Sequence, residues 1–222
     1  MSATSRSGLL FVAAFAAAVL YTLLLPWQPY PGSVVLKTSM CVLLAAHAWR
    51  AQQKLLVAAL LCSAAGDAFL GIDGERLFVP GLGSFLIAHL FYVAIFVRSG
   101  NAVLSLRRQI VFAAILAFSV GYAMILWPEL GGLRWPVAAY MAVITLMAVC
   151  SLRMNSALLP LGAILFMISD SLIALGKFLS AAEWLGPSVW ITYAAAQLLL
   201  TYGLVGRPVE ASIAGNARVT AQ

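Results

Sequence analysis

Residues 55–72 read LLVAALLCSAAGDAFLGI, an unbroken apolar run that carries a single charge, Asp67. As an α-helix rising about 1.5 Å per residue it reaches about 27 Å, close to the thickness of a bilayer's hydrocarbon core. A strand of a membrane barrel would alternate polar and apolar side chains. This run does not, so it reads as a membrane-spanning helix with a carboxyl group inside it.

Seven further apolar runs surround it, at residues 8–25, 33–49, 77–97, 110–127, 135–152, 157–175 and 188–205. The breaks carry turn residues: Pro26, Pro29, Pro31 and Gly32, then Pro128, Gly131 and Gly132, then Gly186 and Pro187. The whole chain agrees, with 64% apolar and 9% charged residues and a mean hydropathy of +1.01. Soluble domains carry about 25% charged residues. A soluble enzyme, a secreted domain and a disordered regulator are thereby excluded. The expected fold is all-α, a polytopic bundle of eight transmembrane helices. It forms one membrane domain over 1–206, followed by a mobile cytoplasmic tail over 207–222. The first run is long for a signal peptide and no clear cleavage site follows it, so it is expected to remain as a span. Cys41, Cys62 and Cys150 lie within apolar runs without a C-x-x-C pair and read as buried structural thiols.

The net charge of +6 is a matter of topology. Arg6, Arg50, Lys54, Arg98, Arg107, Arg108, Arg153, Arg207 and Arg218 fall on one side of the bundle. Only Arg76, Arg134 and Lys177 fall on the other, beside Asp73, Glu75, Glu129 and Glu183. The positive-inside rule then puts both termini in the cytoplasm. Trp27, Trp127, Trp135, Trp184 and Trp190 are expected at the opposite interface as an aromatic belt. No basic stripe interleaved with aromatics suggests a nucleic acid partner.

Ionisable groups inside membrane helices cost about 2.5–3.5 kcal/mol each on insertion scales and so mark functional positions. Lys37, Asp67, His89 and Asp170 lie well inside their runs, with Gln197 as an uncharged fifth. Their estimated depths overlap in the middle and outer half of the bilayer, where one cavity can hold them all. Gly81, Phe85, His89 and Tyr92 share one face of the fourth helix, and Trp190, Tyr193, Gln197 and Thr201 one face of the eighth. Interhelical hydrogen bonding is the plainer explanation for such stripes. His47, near the end of its run, reads as interfacial. A faint repeat relates Gly66-Asp67 to Ser169-Asp170 and Lys37 to Tyr140 at the same offset, 103 residues, as in a parallel four-plus-four arrangement. Two aspartates and one histidine can bind a divalent ion, but catalytic zinc sites use more His or Cys. No metal or cofactor is expected. No Gly-rich phosphate loop, G-x-S-x-G or H-E-x-x-H occurs.

The order and placement of Lys37, Gly66-Asp67, Gly81, Phe85, His89, Tyr92, Tyr140, Ser169-Asp170, Tyr193 and Gln197 resemble the lysoplasmalogenase family of membrane proteins, the YhhN-like group. The resemblance runs over most of the chain. It departs at Thr38, where many members have proline after the lysine. It implies hydrolysis of the vinyl ether bond of a lysophospholipid, giving a fatty aldehyde and a glycerophospho-choline or -ethanolamine. Such hydrolysis needs an acid to protonate the outer alkene carbon, a base for water, and negative charge near the oxocarbenium ion. Paired carboxyls serve the same ion in glycosidases. Asp67 and Asp170 are expected to divide these roles with His89 beside them. Lys37, Tyr92, Tyr140, Tyr193 and Gln197 are expected to hold the substrate. The partners are then a lysophospholipid and the membrane lipid, in a bacterial inner membrane. Two other readings use the same residues: a proton-coupled transporter and an assembly protein whose polar groups only join helices.

Overall fold

The computed structural model describes residues 3–180 and 182–206, so the expected tail over 207–222 lies outside the described residues. Eight α-helices follow one another without strands among those residues. They are α1 (Ala3–Leu24), α2 (Ser33–Arg50), α3 (Lys54–Ile72), α4 (Phe78–Ser99), α5 (Leu106–Leu126), α6 (Arg134–Ser151), α7 (Leu158–Phe178) and α8 (Leu185–Val205).

The helices overrun the apolar stretches that announce them. α5 begins four residues before its run and takes in Arg107 and Arg108. α7 continues to Phe178, and α8 starts at Leu185 rather than at residue 188. Backbone hydrogen bonding extends through the interfacial region, whereas apolar composition marks only the hydrocarbon slab. Among the described residues seven helices are long and apolar enough to cross a bilayer. The exception is α2, whose 18 residues include Lys37, His47 and Arg50.

The turns are built as their residues dictate. Pro26 stands in a 3-10 turn over Leu25–Trp27, and Gly32 precedes α2 with φ +85°, a conformation open to glycine. Asp73 ends α3 by accepting from the backbone N–H groups of Glu75 and Arg76 at 3.1 and 2.9 Å. On the basic side, the backbone N–H of Ala102 donates to the Arg153 carbonyl at 2.9 Å, tying the α4–α5 loop to the α6–α7 loop.

Helices α1, α2, α3, α4, α6, α7 and α8 form a closed ring in chain order, with α8 meeting α1. Helix α8 also touches α2 and α3 and is buried on most of one face. Helix α5 stands outside the ring, packed chiefly on α6, and only its Ile115 and Leu126 are buried. The closest packing is between α3 and α4 and between α7 and α8. Small residues allow it. A Cβ at Gly66 would lie 2.5 Å from the Phe85 ring, and one at Gly162 would lie 2.9 Å from Leu200 Cγ.

The aromatic belt is corrected at one position. Trp27, Trp127, Trp135 and Trp184 are exposed, but Trp190 is buried. Its ring packs on Tyr21 at 4.4 Å, and its Nε1 donates to Thr22 Oγ1 at 2.8 Å. A tryptophan near a helix start signals an interface only when that helix face looks outward, and this face looks inward.

Candidate active site

Each buried aspartate sits on the inner face of its helix, two thirds of the way along. Asp67 on α3 lies 3.3 Å from Lys37 Nζ of α2, measured to Oδ1. Its Oδ2 accepts from the Tyr193 hydroxyl of α8 at 2.6 Å. The same hydroxyl is 3.1 Å from Cys41 Sγ. Asp170 on α7 accepts through Oδ2 from the Tyr140 hydroxyl of α6 at 2.5 Å. His89 Nε2 of α4 stands 3.6 Å from that oxygen, too far for a hydrogen bond.

The two carboxyls are therefore held alike. Each is bound by one residue of the preceding helix and approached by one from across the bundle, where Tyr193 bonds to Asp67 and His89 stops short of Asp170. Tyr140 follows Lys37 by the same 103 residues that separate the aspartates, and Tyr193 follows His89 by 104. The partners differ in charge. Asp67 has an ammonium group, whereas Asp170 has no lysine or arginine within 4 Å among the described residues.

Both aspartates line one cavity of about 760 Å³. Its walls come from α1, α2, α3, α4, α7 and α8, and Lys37, Phe85, Ser169 and Tyr193 are among them. The α1–α2 connection at Gln28 and Pro29 and the segment before α8 at Glu183 rim it. It thus lies toward the end of the bundle opposite the basic loops.

Tyr92 and Gln197 lie one turn further along α4 and α8 than His89 and Tyr193. The Tyr92 hydroxyl donates to Gln197 Oε1 at 2.7 Å, and both residues are fully buried. Neither lines the cavity, and neither do His89 and Tyr140. These four support the site from behind its wall. The Phe166 ring fills the space between them, with its centroid 4.5 Å from that of His89 and 5.4 Å from that of Tyr193. His47 is remote from the site, near the basic end of α2, where its ring packs on Phe11 at 5.6 Å.

Cys41, read from the sequence as a buried structural thiol, is buried and also stands beside the site through Tyr193. It follows Lys37 by four positions, so the two share a face of α2. That spacing was the available signal. Tyr21 and Thr22, polar groups within the first apolar run, are likewise cavity walls. Among the described residues no cluster of three or more His, Cys, Asp or Glu is placed to hold a metal ion.

A profile of the YhhN family matches residues 32–204, which takes in Lys37, Asp67, His89, Tyr140, Asp170 and Tyr193. The chain belongs to the YhhN family. This YhhN protein is similar to a Mycobacterium tuberculosis protein named lysoplasmalogenase, with 38% identity over 184 residues, covering 78% of this chain and 70% of the relative. It is also similar to human lysoplasmalogenase TMEM86A, 36% identical over 164 residues, covering 68% of this chain and 66% of the relative. Human lysoplasmalogenase TMEM86B is 34% identical over 156 residues, covering 70% and 66%. No solved structure matches the YhhN protein.

Proposed function

We propose that the chain hydrolyses the vinyl ether bond of a lysoplasmalogen-type lysophospholipid in the cavity shared by Asp67 and Asp170. The observation that carries the reading is the pair itself. Two buried carboxyls, each with its own polar partners, open onto one cavity inside a membrane bundle. The relatives' names point to the same substrate class.

The difference between the two partner sets supports a division of labour. The Lys37 ammonium favours Asp67 as the carboxylate. Asp170, with a tyrosine and a histidine as neighbours, is the acid. Its Oδ2 is occupied by Tyr140, which leaves Oδ1 to carry the proton. Asp170 passes that proton to the outer alkene carbon, and the adjoining ether carbon becomes an oxocarbenium ion. Asp67 stabilises the cation and takes a proton from the water that adds to it. The resulting hemiacetal then collapses: Asp170 takes its hydroxyl proton, Asp67 gives its own proton to the departing glycerol oxygen, and aldehyde and the glycerol hydroxyl are released. Tyr193 fixes the Asp67 carboxylate in place, and Tyr140 does the same for Asp170. Acid/base chemistry of this kind rests on preorganised groups.

The membrane orientation belongs to the same reading. With the basic loops in the cytoplasm, the cavity faces the non-cytoplasmic half of the bilayer. A bacterial inner membrane fits this arrangement.

The test is aldehyde release from an alkenyl-lysophospholipid by the purified protein in detergent, beside Asp67→Asn and Asp170→Asn. Turnover by the wild type and none by either folded variant is the expected result. Aldehyde at the wild-type rate from either variant would remove the paired-carboxyl mechanism, and no aldehyde from folded wild type across several head groups would remove the reaction.

A further inference from the structure

We propose that the hydrocarbon chain of the substrate occupies an apolar channel that begins at Asp170 and leaves the bundle sideways between α5 and α6. The proposal rests on the reading of Asp170 as the residue beside the reacting bond.

Three spaces adjoin in the same half of the bundle. The large cavity shares Leu70, Phe85, Asp170 and Ile173 with a second, narrow one of about 50 Å³ enclosed by α3, α4, α5, α6 and α7. The second shares Ser119, Met141 and Thr145 with a third of about 280 Å³ between α5 and α6. The shared walls set the three spaces side by side, and the proposed path runs from the carboxyl, through the narrow space as a neck, to a groove on the outside of the ring.

The chemistry changes along this path. The large cavity carries Lys37, Asp67 and Glu183, groups suited to a zwitterionic head group and water. The neck is walled by rings and aliphatic chains, including Phe78, Phe118, Ile144 and Phe178. Its polar groups are already engaged. The Tyr122 hydroxyl donates to the Ser171 carbonyl at 2.5 Å, and Ser171 Oγ donates to the Met167 carbonyl at 2.7 Å. Thr145 Oγ1 lies 2.8 Å from Ser119 Oγ and 2.6 Å from the Met141 carbonyl. A small space lined this way holds no attraction for water and suits hydrocarbon. An amphiphile whose reacting bond lies at Asp170 fits only one way round. Its head group lies in the large cavity and its chain enters the neck.

Helix α5 makes the exit passable. It stands outside the ring and buries only Ile115 and Leu126, one on each side of the groove's α5 residues 116–123. Between those anchors the Thr145–Ser119 hydrogen bond is a cross-link to α6. Ala138 and Ala142 give the groove its width on the α6 side. They determine how much chain is accommodated beyond the neck.

The test uses full-length protein in phosphatidylcholine nanodiscs and an alkyl-lysophosphocholine with a saturated ether and a terminal diazirine. The probe has no vinyl ether and is not turned over. After photolysis, adducts are expected within residues 116–123 and 138–145, and excess unlabelled alkyl-lysophosphocholine should suppress them. Ala142→Trp fills the groove and is expected to lower that labelling about tenfold, and to raise KM for long-chain but not short-chain alkenyl substrate. Gly121→Ala, with nothing within 4 Å of the added methyl, controls for general disturbance of α5. Competable adducts on α1 or α8 instead, or labelling of α5 and α6 that neither competitor nor Ala142→Trp changes, would overturn the channel. Aldehyde release with adducts elsewhere removes the channel and keeps the reaction. Competable adducts in the groove with no aldehyde keep the chain site and remove the reaction.

Discussion

At the residue scale the site turns on what each carboxyl is paired with. Lys37 is the cation that accompanies Asp67 into the bundle. Removing it leaves a buried acceptor short of its charged partner, a loss of about 1–3 kcal/mol. Lys37→Met is therefore expected to lower the unfolding temperature in detergent, and Lys37→Met with Asp67→Asn to recover most of the loss. If the double variant is no more stable than the single, the ion pair is not what holds Lys37. Tyr140→Phe removes the donor to Asp170 and leaves the ring contact with His89 at 5.4 Å. A hydrogen bond to a catalytic carboxyl of about 1.4 kcal/mol corresponds to a tenfold effect. The expected outcome is kcat reduced about tenfold with KM little changed, read from aldehyde formation under saturating substrate. Cost in hydrocarbon made the four ionisable site residues legible in the sequence, and the structure brings Lys37 to Asp67 and His89 to Asp170. The place of Cys41 beside the site was not legible by that cost, because a thiol in an apolar run costs little and gives no such signal.

At the element scale the fold depends on where helices approach closely. Gly162 lets α7 meet α8 at Leu200 and the Ala196 carbonyl, where an added Cβ would stand 2.9 and 3.2 Å away. Overpacking costs about 1–3 kcal/mol. Gly162→Ala should lose about that much by thermal unfolding in detergent. Gly83→Ala, which meets nothing within 4 Å, should be neutral. Equal losses would mean that lipid contact, and not interhelical distance, sets the effect. Helix number and type were readable from apolar runs because the hydrocarbon slab imposes a minimum length. Helix ends were not. Arg107 and Arg108 belong to α5 although they lie outside the apolar stretch. The position of α5 outside the ring was also hidden, since a lipid-facing helix and a buried one are equally apolar along their length.

At the scale of the whole molecule the ring has a polar mouth at one end and basic loops at the other. A thiol-specific, membrane-impermeant reagent checks the proposed orientation in intact cells of a cysteine-free background. Gln28→Cys, at the cavity rim, should be labelled directly. Asn101→Cys, paired with Asn155 in the basic loops, should be labelled only after permeabilisation. The reverse pattern would turn the cavity toward the cytoplasm. Trp190 shows why the interface was only partly readable. Five tryptophans lie near helix ends on that side, and sequence position alone cannot tell the four that face outward from the one that completes the cavity wall.

Phe85 belongs to both the large cavity and the narrow one, and its ring occupies the space that a side chain at Gly66 would need. It is a partition between two solvents. Under the proposed chemistry the bond that breaks lies across this partition, so cleavage produces two molecules that no longer share a phase. The glycerophospho product leaves through the mouth into water, and the aldehyde leaves between helices into lipid. Neither must wait for the other. Product release is then random in order, and accumulated aldehyde in the bilayer inhibits without competing for the head-group space.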